Sequence, residues 1–231
     1  MHPILCKIGP FNVYSWGFMV ALGCMAALAV MIRFGRKEGI RPERILDVFV
    51  YMIISAVVGA RFFYVIAFFP KFKDNLLTIF YLNQGGLVFI GGLCGVLVMM
   101  AAYIRYNNIN LWKLLDVCSP GTMIGYAIGR IGCYLNGCCY GIKIFGVEQP
   151  TQIYSSLSGL VIFFALVYLY RNKKYDGQIF LFALFFYSIY RFLLEFIRYS
   201  PVHYWIFTPN QLLAALLFAG SSYLLWKKNT T

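Results

Sequence analysis

Seven long apolar stretches run along the chain, separated by short polar segments. Residues 13–32 hold no charge over twenty positions, enough for a helix to cross a hydrocarbon core of roughly 30 Å. Further stretches cover 45–69, 85–104, 114–134, 153–170, 178–197 and 209–226. The pattern predicts an all-α polytopic membrane protein with about seven transmembrane helices. Ser119-Pro120-Gly121 is expected to break the fourth helix. Gly85-Gly86, Gly91-Gly92 and Gly95 are expected to make the third pack closely or bend. No internal repeat, low-complexity segment or second-domain boundary is visible, so residues 1–231 read as a single transmembrane domain.

Composition supports this class. Mean hydropathy is +0.72, 61% of residues are hydrophobic and only 12% are charged, which excludes an ordinary soluble domain. A net charge of +12 would suit nucleic acid, but its placement argues for no nucleic-acid partner and for contact with the lipid bilayer. The loops after the first, third and fifth stretches, with the C-terminal end, carry twelve Lys and Arg against five on the opposite side. That asymmetry predicts an outside N-terminus and a cytoplasmic C-terminus. Tyr14, Trp16, Tyr204 and Trp205 then fall near the outer interface. Residues 1–10 show no cleavable signal pattern, so the first span is expected to stay in the mature protein.

Charges inside the apolar stretches carry the chemistry. An arginine at membrane depth costs roughly 2.5–3.5 kcal/mol on insertion scales, and Arg61, Arg130 and Arg191 all lie within spans. Arg130 sits in a Gly-rich segment, Gly129 to Gly141, with Asn136 as a second directed donor. In the sixth span Tyr187, Arg191, Glu195 and Arg198 are spaced four, four and three apart, so they are expected on one helix face. Glu195 can pair with Arg191 or Arg198, but one carboxylate cannot neutralise Arg61, Arg130, Arg191 and Arg198 together. The surplus invites an anion, and arginine grips phosphate with a planar fork. The phosphate-bearing ligand abundant in a membrane is a phospholipid headgroup. A snorkelling arginine or a pure ion-pair lock between helices would use the same residues. Pro150-Thr151-Gln152-Ile153-Tyr154-Ser155 reads as a helix start that either presents N–H groups to an anion or simply caps itself, and Gln211 is a similar candidate. Of seven cysteines, Cys24 and Cys94 read as packing residues. Adjacent Cys138-Cys139 are poorly placed to pair. Cys118, Cys133, Cys138 and Cys139 could bind a metal, but no C-x-x-C spacing occurs and His2 and His203 are distant in sequence. No metal and no cofactor are expected.

Taken in order, these segments resemble prolipoprotein diacylglyceryl transferases over nearly the whole chain. The matching segments are Ile8-Gly9-Pro10, Trp16-Gly17, Gly59-Ala60-Arg61, Gly85-Gly86, Gly91-Gly92, Gly129-Arg130-Ile131-Gly132 with Asn136 and Gly141, Pro150 to Tyr154, Arg191 to Arg198, and Gln211. The resemblance implies transfer of a diacylglyceryl group from phosphatidylglycerol to the thiol of a lipobox cysteine, next to the signal peptide of a prolipoprotein, in the bacterial inner membrane. It implies that Arg130, Arg191, Glu195 and Tyr187 form the catalytic group. Arg61, Asn136, Gly141, Gln152, Tyr154, Arg198, Gln211, Gly91 and Gly92 would contact substrate. The chain departs from the family pattern at Ile90 and Gln149, where histidines are expected. It departs also at Trp16, where a tyrosine is expected, at Cys133 for an asparagine, and at Ser155 for a glutamate. The phosphate-holding half of the site is thus retained more fully than the acid–base half. A relative acting on another acceptor, or a non-catalytic phospholipid-binding or transport protein, would share the retained half.

Overall fold

A computed structural model describes residues 3–8, 11–73, 75–80, 85–107, 109–144, 146–198 and 207–230. The expected features at Gly9-Pro10, His203, Tyr204 and Trp205 lie outside them. Seven α-helices follow in order among the described residues: α1 (Ser15–Lys37), α2 (Pro42–Ala67), α3 (Phe89–Asn107), α4 (Leu111–Asn136), α5 (Thr151–Leu169), α6 (Gln178–Leu194) and α7 (Pro209–Thr230). Each coincides with one apolar stretch. α1, α2 and α3, with α5 and its 3-10 extension to Asn172, are long and apolar enough to cross a membrane, and α6 is a shorter apolar helix. Large apolar side chains such as Val98, Val161, Phe164 and Leu216 face outward, as a lipid solvent allows. The protein is an all-helical polytopic membrane protein.

Local chemistry sets the helix ends. Arg36 and Lys37 close α1, where cations meet the negative end of the dipole. Pro42 opens α2 with Glu43 in its first turn, both suited to a helix N-terminus. Two small antiparallel hairpins were not expected: β1 (Ile4–Ile8) with β2 (Phe11–Tyr14), and β3 (Lys143–Ile144) with β4 (Val147–Glu148). The first occupies Val13 and Tyr14, so α1 starts two residues later than predicted. The predicted break at Pro120 is corrected: α4 runs through it. Pro120 removes one backbone donor, but the neighbouring turns are braced by Ser119 Oγ on Leu115 O at 2.7 Å and Thr122 Oγ1 on Cys118 O at 2.9 Å.

The chain divides into two compact units, residues 35–111 and residues 1–34 with 112–231. In the first, α2 packs on α3 through small residues. A Cβ added to Gly91 would come within 2.5 Å of both Gly59 O and Phe63 Cβ. Arg61, 8% exposed, donates to four backbone carbonyls: Thr78 and Ile79 at 2.8 Å, Gly85 at 2.7 Å and Gly86 at 3.2 Å. In the second unit, α1 meets α4 where Gly23 faces Gly125, and Ser156 of α5 donates to Ala127 O of α4 at 2.8 Å. Phe185 of α6 stacks on Phe218 of α7 at 5.1 Å. Asp116, fully buried in α4, accepts from Gly177 N at 2.7 Å and Phe180 N at 2.9 Å and lies 3.0 Å from Lys173 Nζ. It caps the start of α6 from another helix.

Candidate functional site

The site grows from one face of α6. Tyr187 and Arg191 are one turn apart, and Arg191 reaches forward to Glu195, whose Oε2 lies 3.1 Å from Arg191 Nη2. This is the expected i,i+4 pair, although the two atoms meet outside hydrogen-bond alignment. Glu195 is 4% exposed. Its Oε1 accepts from Thr208 Oγ1 at 3.1 Å and Asn210 Nδ2 at 2.9 Å. Arg191 Nη1 is buried and has no partner among the described residues. A buried guanidinium nitrogen left open is costly, and an anion would satisfy it. The predicted stripe is corrected at its end. α6 stops at Leu194, residues 195–197 turn, and Arg198 leaves the helix to pair with Gly141 as a β-bridge.

Thr208 and Gln211 act reciprocally. Gln211 Oε1 accepts from Thr208 N at 2.9 Å, and Thr208 Oγ1 accepts from Gln211 N at 3.2 Å. This is a capping box ahead of Pro209. Gln211 is therefore engaged in starting α7, and its neighbour Asn210 is what reaches Glu195.

Arg130 lies over the Tyr126 ring at 4.9 Å, a cation–π contact one turn back along α4. It makes no ion pair among the described residues. Tyr126 packs edge-on against Tyr187 at 6.0 Å, which connects the Arg130 side of the site to the Arg191 side. The Tyr126 and Tyr190 hydroxyls are 3.2 Å apart, Tyr190 donates to Ser155 Oγ at 2.5 Å, and Ser155 donates to Thr151 O at 2.6 Å. Four polar groups thus form one chain from α4 through α6 to the start of α5. Tyr126 and Tyr190 escaped the sequence reading. Their signal was spacing, since Tyr126 precedes Arg130 by one turn and Tyr190 adjoins Arg191.

The start of α5 turns its side chains away from capping. Thr151 Oγ1 donates to Cys139 O at 2.7 Å, and Gln152 Nε2 donates to Cys138 O. The N–H groups of Thr151, Ile153 and Tyr154 are already bonded to Gln149 and Pro150 carbonyls, so this end offers an anion little. Gln152 is 1% exposed, and its Oε1 has no partner among the described residues. Tyr154 donates to Gln149 Oε1 at 3.1 Å. Gly141 is required by crowding: a Cβ there would meet Thr151 Cγ2 at 2.7 Å as well as Ile197 O. Asn136 ends α4 and is exposed. On either side of it in sequence, the Cys133, Cys138 and Cys139 thiols lie within 4.8 Å of one another. Burial first, then the neighbouring cysteines, push the Cys138 thiol up to about 12.

Between α5 and α6 runs an apolar groove of about 580 Å³, lined by residues including Leu157, Val161, Phe186 and Leu193, with Tyr154 and Tyr190 among its polar edges. Arg61, Gly91 and Gly92 belong to the other unit. There Arg61 is engaged with backbone carbonyls, and Gly91 and Gly92 serve close helix packing.

Fold and site together define a polytopic membrane protein with an arginine-bearing polar site beside an apolar groove. The sequence pattern of the prolipoprotein diacylglyceryl transferase family matches residues 3–227, and the chain belongs to that family. It is 32% identical to the phosphatidylglycerol–prolipoprotein diacylglyceryl transferase of Finegoldia magna, over 95% of this chain and 93% of the relative. It is 34% identical to the protein of that name in Clostridium kluyveri, over 86% and 85%. The Clostridium tetani protein of that name is 29% identical, over 87% of each.

Proposed function

We propose that this protein transfers a diacylglyceryl group from phosphatidylglycerol to the lipobox cysteine of a prolipoprotein. The observation that carries the reading is Arg191 Nη1, buried and without a partner among the described residues, on the helix face of Tyr187 and beside Glu195 at the helix end. Arg191 and Arg130 grip the lipid phosphate as planar forks. Glu195, held by Thr208 and Asn210, fixes the direction of Arg191. The tyrosine chain fixes Arg130 from below. The donor's acyl chains run along the groove between α5 and α6. The acceptor sulfur, as thiolate, attacks the glycerol carbon that bears the phosphate ester. A C–S bond forms, the C–O bond breaks, and its electron pair leaves with the phosphate oxygen of glycerol phosphate. The thiol proton passes to solvent. Gathering negative charge on a leaving phosphate between two fixed arginines lowers the barrier electrostatically.

The same reading makes residues 1–231 one transmembrane domain of seven spans in the inner membrane, with the N-terminus outside and the C-terminus in the cytoplasm. The twelve-to-five asymmetry of Lys and Arg supports that orientation. Asn136, Gln152, Tyr154 and Arg198 then border the acceptor's approach. The decisive experiment incubates purified protein with labelled phosphatidylglycerol and a lipobox peptide and follows the peptide by mass spectrometry. A thioether-linked diacylglyceryl adduct is expected. Bound lipid with an unmodified peptide would reject the reading.

A further inference from the structure

The cysteine cluster is built by the end of α4. Gly137 adopts the left-handed conformation at φ 76°. Gly137 N donates to Tyr134 O at 3.1 Å and Cys138 N to Cys133 O at 3.2 Å. These are the two bonds of a Schellman motif, which folds the residue after the glycine back onto the last helical turn. Cys138 therefore meets Cys133. Cys139 follows at φ 70°, a left-handed backbone that is uncommon outside glycine. The carbonyls of both residues are tied down by the buried side chains of Gln152 and Thr151. The fold thus holds three thiols at one point, within 4.8 Å of one another.

We propose that Cys133, Cys138 and Cys139 form a three-thiolate site for a thiophilic divalent cation of the zinc class, with a fourth position open to the acceptor's thiol. The choice of fourth ligand rests on the transferase reading above. Zinc–sulfur bonds of about 2.3 Å in a tetrahedron place thiolates about 3.8 Å apart. Cys138 and Cys139 Sγ, now 3.1 Å apart, widen by rotation of the exposed Cys139 side chain. Three protein ligands and one open position is the arrangement that lets zinc act on a substrate. The open side is available because Cys139 faces outward. The location is suitable too: Cys133 is one helical turn from Arg130, and the loop closes through Gly141 onto Arg198. A free thiol with a pKa near 8.5 is only a few per cent thiolate at neutral pH, whereas a coordinated thiol is deprotonated outright. Binding the cation releases three protein protons to solvent, and binding the acceptor releases one more. The sulfur then forms the C–S bond as the C–O bond to phosphate breaks, and the metal's oxidation state does not change.

The test uses the full chain, purified in detergent, reduced and stripped of metal, with cobalt(II) as the probe. One equivalent should bind with an intense thiolate-to-cobalt absorption band. Cys138→Ser and the exposed Cys139→Ser should each weaken binding by at least about tenfold, while Cys118→Ser should not. A cysteine-containing lipobox peptide should shift the cobalt d–d bands, and its serine analogue should not. Fewer than seven titratable thiols owing to a bond within the cluster, or free thiols that leave cobalt unbound, would overturn the site. So would a spectrum indifferent to the peptide, which would reduce it to a structural ion. Lipid transfer is measured on the same samples. Full transfer by metal-free Cys138→Ser protein rejects the metal and keeps the transferase. A peptide-responsive cobalt spectrum without any transfer keeps the site and rejects the transferase.

Discussion

Arg191 is satisfied on one side only: Nη2 faces Glu195, and Nη1 is buried without a described partner. Arg130 has an aromatic ring beneath it and no carboxylate partner among the described residues. A lysine at either position keeps the charge and loses the fork. Arg191→Lys and Arg130→Lys should therefore each lower kcat for lipid transfer by about 100-fold or more, with thermal unfolding little changed. Wild-type turnover in either variant would remove these arginines from the phosphate site. Tyr190→Phe tests a different bond. It deletes the donor to Ser155 and leaves the Tyr126 hydroxyl without that neighbour. The expected cost is about 1–3 kcal/mol of stability, read as a lower melting temperature in detergent, with a smaller effect on kcat than Arg191→Lys.

At the scale of elements, two helix starts are organised by side chains that the apolar pattern does not announce. α7 begins with its own capping box, legible in Thr208-Pro209-Asn210-Gln211 once the spacing is noticed. Thr208→Ala should cost about 1 kcal/mol. α6 is capped by Asp116, more than sixty residues earlier in sequence, and no local rule pairs them. Asp116→Ala should lower stability by about 2–5 kcal/mol, because it leaves the Gly177 and Phe180 N–H groups without their acceptor and takes from the part-buried Lys173 one of its two carboxylates. Thermal unfolding in detergent checks both, and equal effects would contradict the cross-helix cap. The same contrast separates what the sequence foretold from what it did not. Arg191 and Glu195 were legible because four residues is one helical turn. The departure of Arg198 was not, because its backbone pairs with Gly141 from another segment. The continuous α4 was hidden by a proline whose lost donor the helix tolerates.

At the scale of the whole molecule, the seven apolar stretches map one to one onto the seven helices of the described residues, since a lipid solvent leaves few alternatives for an apolar run. The N-terminal hairpin is short and the cysteine cluster is made by a helix cap, so neither has a long-range signature. The cluster was nonetheless readable as Cys-x-x-x-Gly-Cys with its glycine at the cap position, a spacing that C-x-x-C searches pass over. The proposed orientation rests on loop charge. A reporter fused after Lys228 should read cytoplasmic, and one inserted within residues 71–75 should read external. The reverse at both sites would invert the orientation and the acceptor's side of approach.

Arg61 has a consequence for genetics. Its guanidinium stitches four carbonyls of residues 78–86 to α2, so its loss should deplete folded protein before it touches any reaction step. In a survival screen for loss of lipoprotein maturation, Arg61 and Arg191 variants would form one phenotypic class. Immunoblotting of membranes should split that class, with Arg61→Ala scarce and Arg191→Lys abundant but idle. Complementation by overexpression should rescue the first and fail for the second.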